Sequence, residues 1–364
     1  MNKNLRICVI SSFMGPYYSN YVASMIALEV EFQKRNNSTI YILPEEVKKF
    51  SWVDKLKRYN NNLYFIKYAP RTISNFLNIR RIIKNNKIDI IYSRMGGWDE
   101  TVRMACPFMP IIWHIDMGVN LSPRIKWFKN WLKYKILALW NTHILTVSEP
   151  ASKAVNSLHP HFASIYIPNA LDISRLKIRH GERKNSSKDN VKKLLIFAYS
   201  PINKGLDLTL DALEKLNKET IKFNLLVSAQ KNTYEYISQR YREKPNWVTL
   251  IPPTDDVSSL YEQADAMMLP SLSEGFSYCL AEAIYTGLPV IYSNIPGNLW
   301  AGEFRKTYIC EKGNSDDIKR AICEFSEDKI SEEDQDYNRD LMNNKYSLDK
   351  WTEKVVDVLE GIVK

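Results

Sequence analysis

The chain has 364 residues, 45% of them apolar and 25% charged, a globular composition long enough for two domains with separate cores. No apolar run approaches the roughly 20 residues that cross a bilayer, and five scattered cysteines (Cys8, Cys106, Cys279, Cys310, Cys323) show no paired spacing, which argues against a zinc site or disulfide frame and for a reducing cytoplasm. The net charge of +9 is uneven: residues 1–186 hold 28 Lys and Arg against 12 Asp and Glu, the rest 22 against 29, so the first half, at about +16, points to nucleic acid or an anionic membrane surface.

From the N-terminus the chain runs into a strand pattern, Arg6–Ser12, without a signal-peptide core. A turn at Phe13-Met14-Gly15-Pro16 leads to a helix pattern over 19–35. Strands are expected at 39–43, 63–67, 88–93, 111–115 and 142–147, with a basic amphipathic helix over 73–85. Continuous apolar runs such as Ile111–Ile115, which carries His114 near its end and Asp116 just beyond, suit parallel strands buried on both faces. Ser122–Trp140 interleaves Trp127, Phe128, Trp131, Tyr134 and Trp140 with five Lys and Arg, which reads either as an interfacial helix on anionic lipid or as an ordinary packed helix. The polar stretch 177–190 reads as a linker.

A second series starts at Lys193, with strands at 193–199, 223–228, 247–251, 266–269, 290–292 and 307–310 and helices over 206–216, 257–263 and 315–325. An acidic segment, 327–340, precedes a final amphipathic helix, 351–363. Within the acidic run Asp334-Gln335-Asp336 reads as a solvated face rather than a metal site. The expected division is 1–175, 176–345, and a helix at 346–364 packing back on the first domain. No helix-turn-helix, zinc or RNA-recognition pattern accompanies the basic half, so nucleic acid is disfavoured.

The chemistry gathers in Leu269–Gly297, read as strand end, loop, helix, turn and strand. Gly275 can supply a positive φ. Ser277 is the expected N-cap of a helix from Tyr278 to Thr286, and Gly287 its C-terminal stop. Glu274 and Glu282 stand eight apart around that helix N-terminus. Its backbone N–H groups and positive dipole end, near Phe276, Ser277, Tyr278 and Cys279, suit a diphosphate flanked by hydroxyl groups. Lys204 follows a strand and a turn, where it can reach a phosphate at the strand's carboxyl edge.

These residues resemble the signature of retaining glycosyltransferases of family 4. The stretch stands as Glu274-Gly275-Phe276-Ser277, Glu282-Ala283 and Gly287-Leu288-Pro289-Val290-Ile291, in agreement with Ile167-Pro168-Asn169-Ala170-Leu171-Asp172 and Lys204-Gly205. The resemblance implies an α/β protein of the GT-B fold, two Rossmann-like parallel-sheet domains facing across a cleft. It implies Glu282 on the donor ribose, Glu274 on the donor sugar, Lys204 on the diphosphate and His114 beside the transferred sugar, with no resident cofactor and no metal. Tyr199 stands where the family's diphosphate-binding Arg is expected. Gly15-Pro16 is a reduced form of the family's glycine pair on the acceptor side, where Asp116 is the further candidate. The implied reaction moves a hexosyl group from a UDP- or GDP-sugar, with retention, to a lipid-linked saccharide of capsule or lipopolysaccharide synthesis, at the inner face of the cell membrane. A soluble or protein acceptor, or an inactive nucleotide-sugar-binding subunit, are the alternatives.

Overall fold

The computed structural model describes residues 4–69, 71–116, 142–158, 164–178, 191–218 and 222–363. It divides into two units, residues 1–170 with 346–364, and residues 171–345. The aromatic basic segment Ser122–Trp140 and most of the 177–190 stretch lie outside the described residues.

The first unit is built on β1 (Arg6–Ser11), β2 (Ser38–Pro44), β3 (Leu63–Ile66), β4 (Ile90–Arg94), β5 (Ile111–Ile115), β6 (Thr142–Thr146) and β7 (Ile165–Tyr166). Their order across the sheet is 3-2-1-4-5-6-7, and each recorded pairing is parallel. The apolar runs of β1, β4 and β5 are buried along nearly their whole length because helices cover both faces. On one face α1 (Asn20–Lys34), α2 (Ser51–Lys57) and the C-terminal helix pack over Val9, Tyr92, Ile112 and Leu145. On the other, α3 (Ile73–Asn85), α4 (Asp99–Ala105) and α5 (Glu149–Leu158) cover Cys8, Ile10, Ile91 and Trp113.

The second unit has β8 (Lys192–Phe197), β9 (Phe223–Ser228), β10 (Val248–Ile251), β11 (Ala266–Leu269), β12 (Val290–Ser293) and β13 (Thr307–Cys310). Their order is 10-9-8-11-12-13, again parallel. Counted from β8 this is the 3-2-1-4-5-6 order of the doubly wound dinucleotide fold. The helices are α6 (Leu206–Leu216), α7 (Lys231–Arg240), α8 (Val257–Gln263), α9 (Tyr278–Thr286), α10 (Ser315–Glu327) and α11 (Glu332–Tyr346), and α12 (Leu348–Val363) returns to the first unit. Neither α7 nor α11 follows from an apolar period in the sequence. In each sheet the strand order reverses next to the first strand, between β1 and β4 and between β8 and β11. Open parallel sheets take ligands outside the carboxyl ends of the strands at that point.

Candidate active site

Lys204 and Glu274 emerge from the two strands that flank the switch point of the second unit. Lys204 lies in the turn after β8 and Glu274 in the loop after β11. The two loops are joined by Leu272 N–H donating to the Asn203 carbonyl at 2.8 Å and by the Asn203 amide donating to the Ser273 carbonyl at 3.3 Å. Gly205 takes φ +68°, and a Cβ there would sit 2.3 Å from the Pro270 carbonyl oxygen. Both the dihedral and the contact require glycine, which is the physical content of Lys-Gly at this place. A Cβ on Gly297 would sit 2.2 Å from the Glu274 carbonyl oxygen. The loop bearing Glu274 is therefore held between two backbone contacts that no side chain can enter.

Within that frame the buried Lys204 ammonium donates to Glu274 Oε1 at 2.5 Å. Its Nζ stands 4.6 Å from the ring centre of the half-exposed Tyr199. Burial alone would lower the Lys204 pKa, but the neighbouring Cys279, Glu274 and Tyr199 outweigh it and the net shift is upward. The Cys279 thiol is itself pushed up to about 11 by burial, so it is neutral near pH 7.

The helix α9 begins at Tyr278, as expected, and ends at Gly287 in the left-handed conformation. Two local expectations need correction. Ser277 occupies the N-cap position but its side chain does not cap. The hydroxyl meets the Cys279 sulfur at 3.2 Å instead, so the first-turn N–H groups receive nothing from it. Gly275 is absent from the residues with positive φ. Its carbonyl lies 3.0 Å from where a Gly297 Cβ would be, a close approach that requires glycine at 297. Phe276 stacks on Trp300, centroids 4.7 Å apart, and Tyr278 meets Phe276 edge-on.

Glu282 lies one helical turn into α9 and is buried. Arg175 Nη2 donates to its Oε1 at 2.7 Å and the Tyr261 hydroxyl donates to its Oε2 at 2.6 Å. The same Tyr261 hydroxyl lies 3.3 Å from the Cys279 carbonyl. Arg175 is placed by a short 3-10 turn, Ile173–Arg175, whose Ser174 N–H is capped by Asp172. Sequence reasoning passed over both partners. Tyr261 gives no local signal, and Arg175, three residues after Asp172, reads as an ordinary cap neighbour.

The remaining candidates belong to the first unit. His114 is the fourth residue of β5, in register with Arg94 of β4 and Leu145 of β6. Its side chain is fully covered: the Tyr92 hydroxyl lies 2.5 Å from Nδ1, and the Trp351 ring of α12 is 6.2 Å away between centroids. Nε2 has no hydrogen-bond partner among the described residues and lies 3.8 Å from Asp116 Oδ1. Burial lowers the imidazole to about 4, with Asp116 opposing and Arg94 reinforcing the shift, so the ring is neutral at pH 7. Asp116 accepts from the buried Arg94 guanidinium at 3.0 Å and from the Met95 N–H at 3.3 Å. Burial would raise its carboxyl, but Arg94 and His114 hold it below the usual range. Arg94 also donates to Ser24 at 2.8 Å and stacks over Tyr21 at 4.2 Å. It was not among the candidates, although a charged residue closing the apolar run Ile90–Arg94 is a readable sign of a strand-end site. Gly15 accepts from the Trp52 indole at 3.0 Å, and its own Cβ position is blocked by the Phe13 ring. In the acidic run, Asp334 lies on α11 against Arg305 and Lys306, and Asp336 pairs with Arg339.

A family model, "Glycosyl transferases group 1", matches residues 179–342. Over those residues the chain is similar to glycosyl transferases group 1. The match covers the Lys204, Glu274 and Glu282 loops in one piece. The chain is also similar to the capsular polysaccharide biosynthesis glycosyltransferase CapM of Staphylococcus aureus, 22% identical over 345 residues, covering 88% of this chain and 89% of that one. It is 31% identical over 111 residues to an Escherichia coli UDP-Gal:alpha-D-GlcNAc-diphosphoundecaprenol alpha-1,3-galactosyltransferase, covering 30% of this chain and 28% of that enzyme. The chain thus spans less than half the length of several curated relatives that it matches. In fold it is similar to Anabaena HepE in complex with UDP and glucose, with TM-score 0.76 and 14% identity over 98% of this chain and 100% of that one. The two Rossmann-like sheets are those of GT-B glycosyltransferases.

Proposed function

We propose that this chain is a retaining glycosyltransferase, using a nucleotide-sugar donor, UDP-linked in the first instance, to extend a lipid-linked saccharide in bacterial surface polysaccharide assembly. The observation that carries the reading is the meeting of Lys204 and Glu274 in the loops that follow the two strands flanking a switch point, with the uncapped N-terminus of α9 between Glu274 and Glu282. Relatives named for capsule synthesis and for a diphosphoundecaprenol acceptor support the acceptor class.

In this reading Glu282, held by Arg175 and Tyr261, accepts from the donor ribose hydroxyls. The first-turn N–H groups of α9 receive the diphosphate. Lys204 carries three donors, so it can hold Glu274 and a phosphate oxygen together. As the glycosidic bond breaks, negative charge grows on the departing nucleotide diphosphate. Lys204 and the helix dipole are already aimed at it, which is electrostatic stabilisation by fixed groups and needs no metal ion in the proposed step. Glu274 then orients sugar hydroxyls. Acceptor attack from the leaving-group face gives retention, and the enclosed His114 side chain has no part in this step.

The test is a thermal-shift screen of UDP, GDP and their sugars, followed by transfer assays with extracted lipid acceptors. A UDP compound should raise the melting temperature. Lys204→Met should weaken donor binding about 10- to 100-fold, since a charge-assisted bond contributes about 1.5–3 kcal/mol. The absence of stabilisation by any nucleotide would overturn the donor assignment, and binding without transfer to any acceptor would favour a nucleotide-sugar-binding subunit.

A further inference from the structure

The outward face of the first unit's α3–α4 layer carries an apolar cluster that the core does not use. Ile73 is 80% exposed, Leu77 51%, Met104 69% and Phe108 86%. On α3 the inward residues are Asn75, Ile79 and Ile83, and the outward stripe reads Ile73, Leu77, Arg80, Lys84 at helical spacing, apolar at its N-terminal end and cationic beyond. The helices α3 and α4 lie side by side on the same face of the sheet. Arg71 N–H donates to Thr101 Oγ1 at 3.0 Å, which ties the segment entering α3 to α4. Met104 on α4 and Phe108 in the turn after it therefore share with the α3 stripe the layer in which the two helices touch.

Phe108 is not left exposed by a loose loop. The buried Arg103 directs one guanidinium nitrogen to the carbonyls of Cys106 at 3.3 Å and of Pro107 and Met109 at 3.0 Å each, and the other to Thr142. A buried cation thereby holds the 106–109 turn shut around a projecting phenyl ring. Isolated apolar residues on a surface are ordinary. A fixed aromatic beside Met, Leu and Ile, next to Arg80, Arg81 and Lys84, which form no ion pair among the described residues, is a different pattern. The apolar tips suit the acyl boundary of a bilayer and the guanidinium and ammonium groups suit its phosphates.

We infer that the α3–α4 face, with Phe108 as its inserted tip, is where the protein docks on an anionic lipid surface. The inference deepens the lipid-linked acceptor part of the proposed function but is read from a surface apart from the donor loops. The partner chosen is a bilayer rather than a protein because charge and apolar tips are segregated along one helix face, as at a headgroup boundary. The excess of about +16 in the first half supplies longer-range attraction to the same surface.

The test uses the full chain with vesicles of phosphatidylcholine alone and of phosphatidylcholine with phosphatidylglycerol. The wild type should sediment with the anionic vesicles only. Leu77→Ser/Met104→Ser/Phe108→Ser and, separately, Arg80→Glu/Lys84→Glu should each lower binding at least tenfold, with UDP-induced thermal stabilisation retained as proof of an intact donor site. The chain has nine native tryptophans, so insertion is followed with a bromo-lipid quenching difference between Phe108→Trp and the wild type. Quenching specific to the variant supports insertion at position 108. Undiminished vesicle binding by both multiple variants would overturn the assignment of this face. Failure of the wild type to bind anionic vesicles would overturn lipid docking itself while leaving donor binding standing.

Discussion

At the scale of single residues, the proposed donor site rests on carboxylates held in place by side-chain partners. Glu282 is the clearest case: Arg175 takes one oxygen and Tyr261 the other. Arg175→Met should weaken UDP binding about tenfold by calorimetric titration, with Arg175→Lys restoring part of it, because a lysine keeps the charge but not the planar fork. An unchanged affinity in the Met variant would show that Tyr261 alone orients the carboxylate. His114 makes a second prediction, in pH. Its folded pKa, about 4, lies below the ordinary 6.5, so between those values the unfolded chain binds more protons than the folded one. The contribution is complete above about pH 6.5, is lost as pH falls toward 4 and is flat below. The half-buried His143 is also lowered and acts with the same sign. His114→Gln should therefore flatten, but not abolish, the fall in urea midpoint between pH 6.5 and 4. An identical slope in wild type and variant would rule out burial of a neutral ring at 114.

At the scale of elements, the sequence was most readable where one face of a helix is apolar. The C-terminal helix α12 is such a case, and Trp351, Val355, Val356 and Leu359 fill the core under α1. Polar ties finish the contact: Arg35 bridges Glu31 at 2.7 Å and Asp357 at 2.6 Å, and Asn37 donates to Glu360 at 2.9 Å. Leu359→Ala should cost about 2–5 kcal/mol, the range for a buried leucine that leaves a cavity. Calorimetry with and without UDP should show the loss in the transition that UDP does not shift, since Leu359 belongs to the first unit. The helix α11 was hidden for a physical reason. Its buried face is Gln335, Asn338, Arg339, Met342 and Tyr346, helical in spacing but polar in kind. Asn338 is buried because it donates to the Arg305 carbonyl and accepts from the Arg305 N–H, both at 2.8 Å. A polar group that finds its partners inside leaves no hydrophobic period to read. The same holds for α7, where Thr233 hydrogen-bonds the Ala198 carbonyl from a buried position. Lys204-Gly205 was legible because backbone contact forces glycine next to the lysine, whereas Arg175 and Tyr261 reach Glu282 from far along the sequence.

At the scale of the whole molecule, two kinds of binding are expected to answer differently to salt. The proposed donor site is built from buried groups: the Lys204 and Glu282 side chains are nearly inaccessible and meet their partners at 2.5–2.7 Å. Counter-ions screen such contacts weakly. The inferred lipid docking draws on exposed cations, Arg80, Arg81 and Lys84 among them, and on the wider excess of charge in the first half. Those charges act across water, where the screening length is about 10 Å at 0.1 M ionic strength and about 3 Å at 1 M. Raising salt from 0.05 to 0.5 M should therefore release the protein from phosphatidylglycerol vesicles by an order of magnitude or more. Over the same range the UDP dissociation constant should move by less than threefold. Parallel curves would mean that donor affinity draws on the exposed charge of the molecule rather than on the enclosed pair at Lys204. A vesicle affinity indifferent to salt would mean that the apolar tips alone hold the protein down and that the charge of the first half serves another partner.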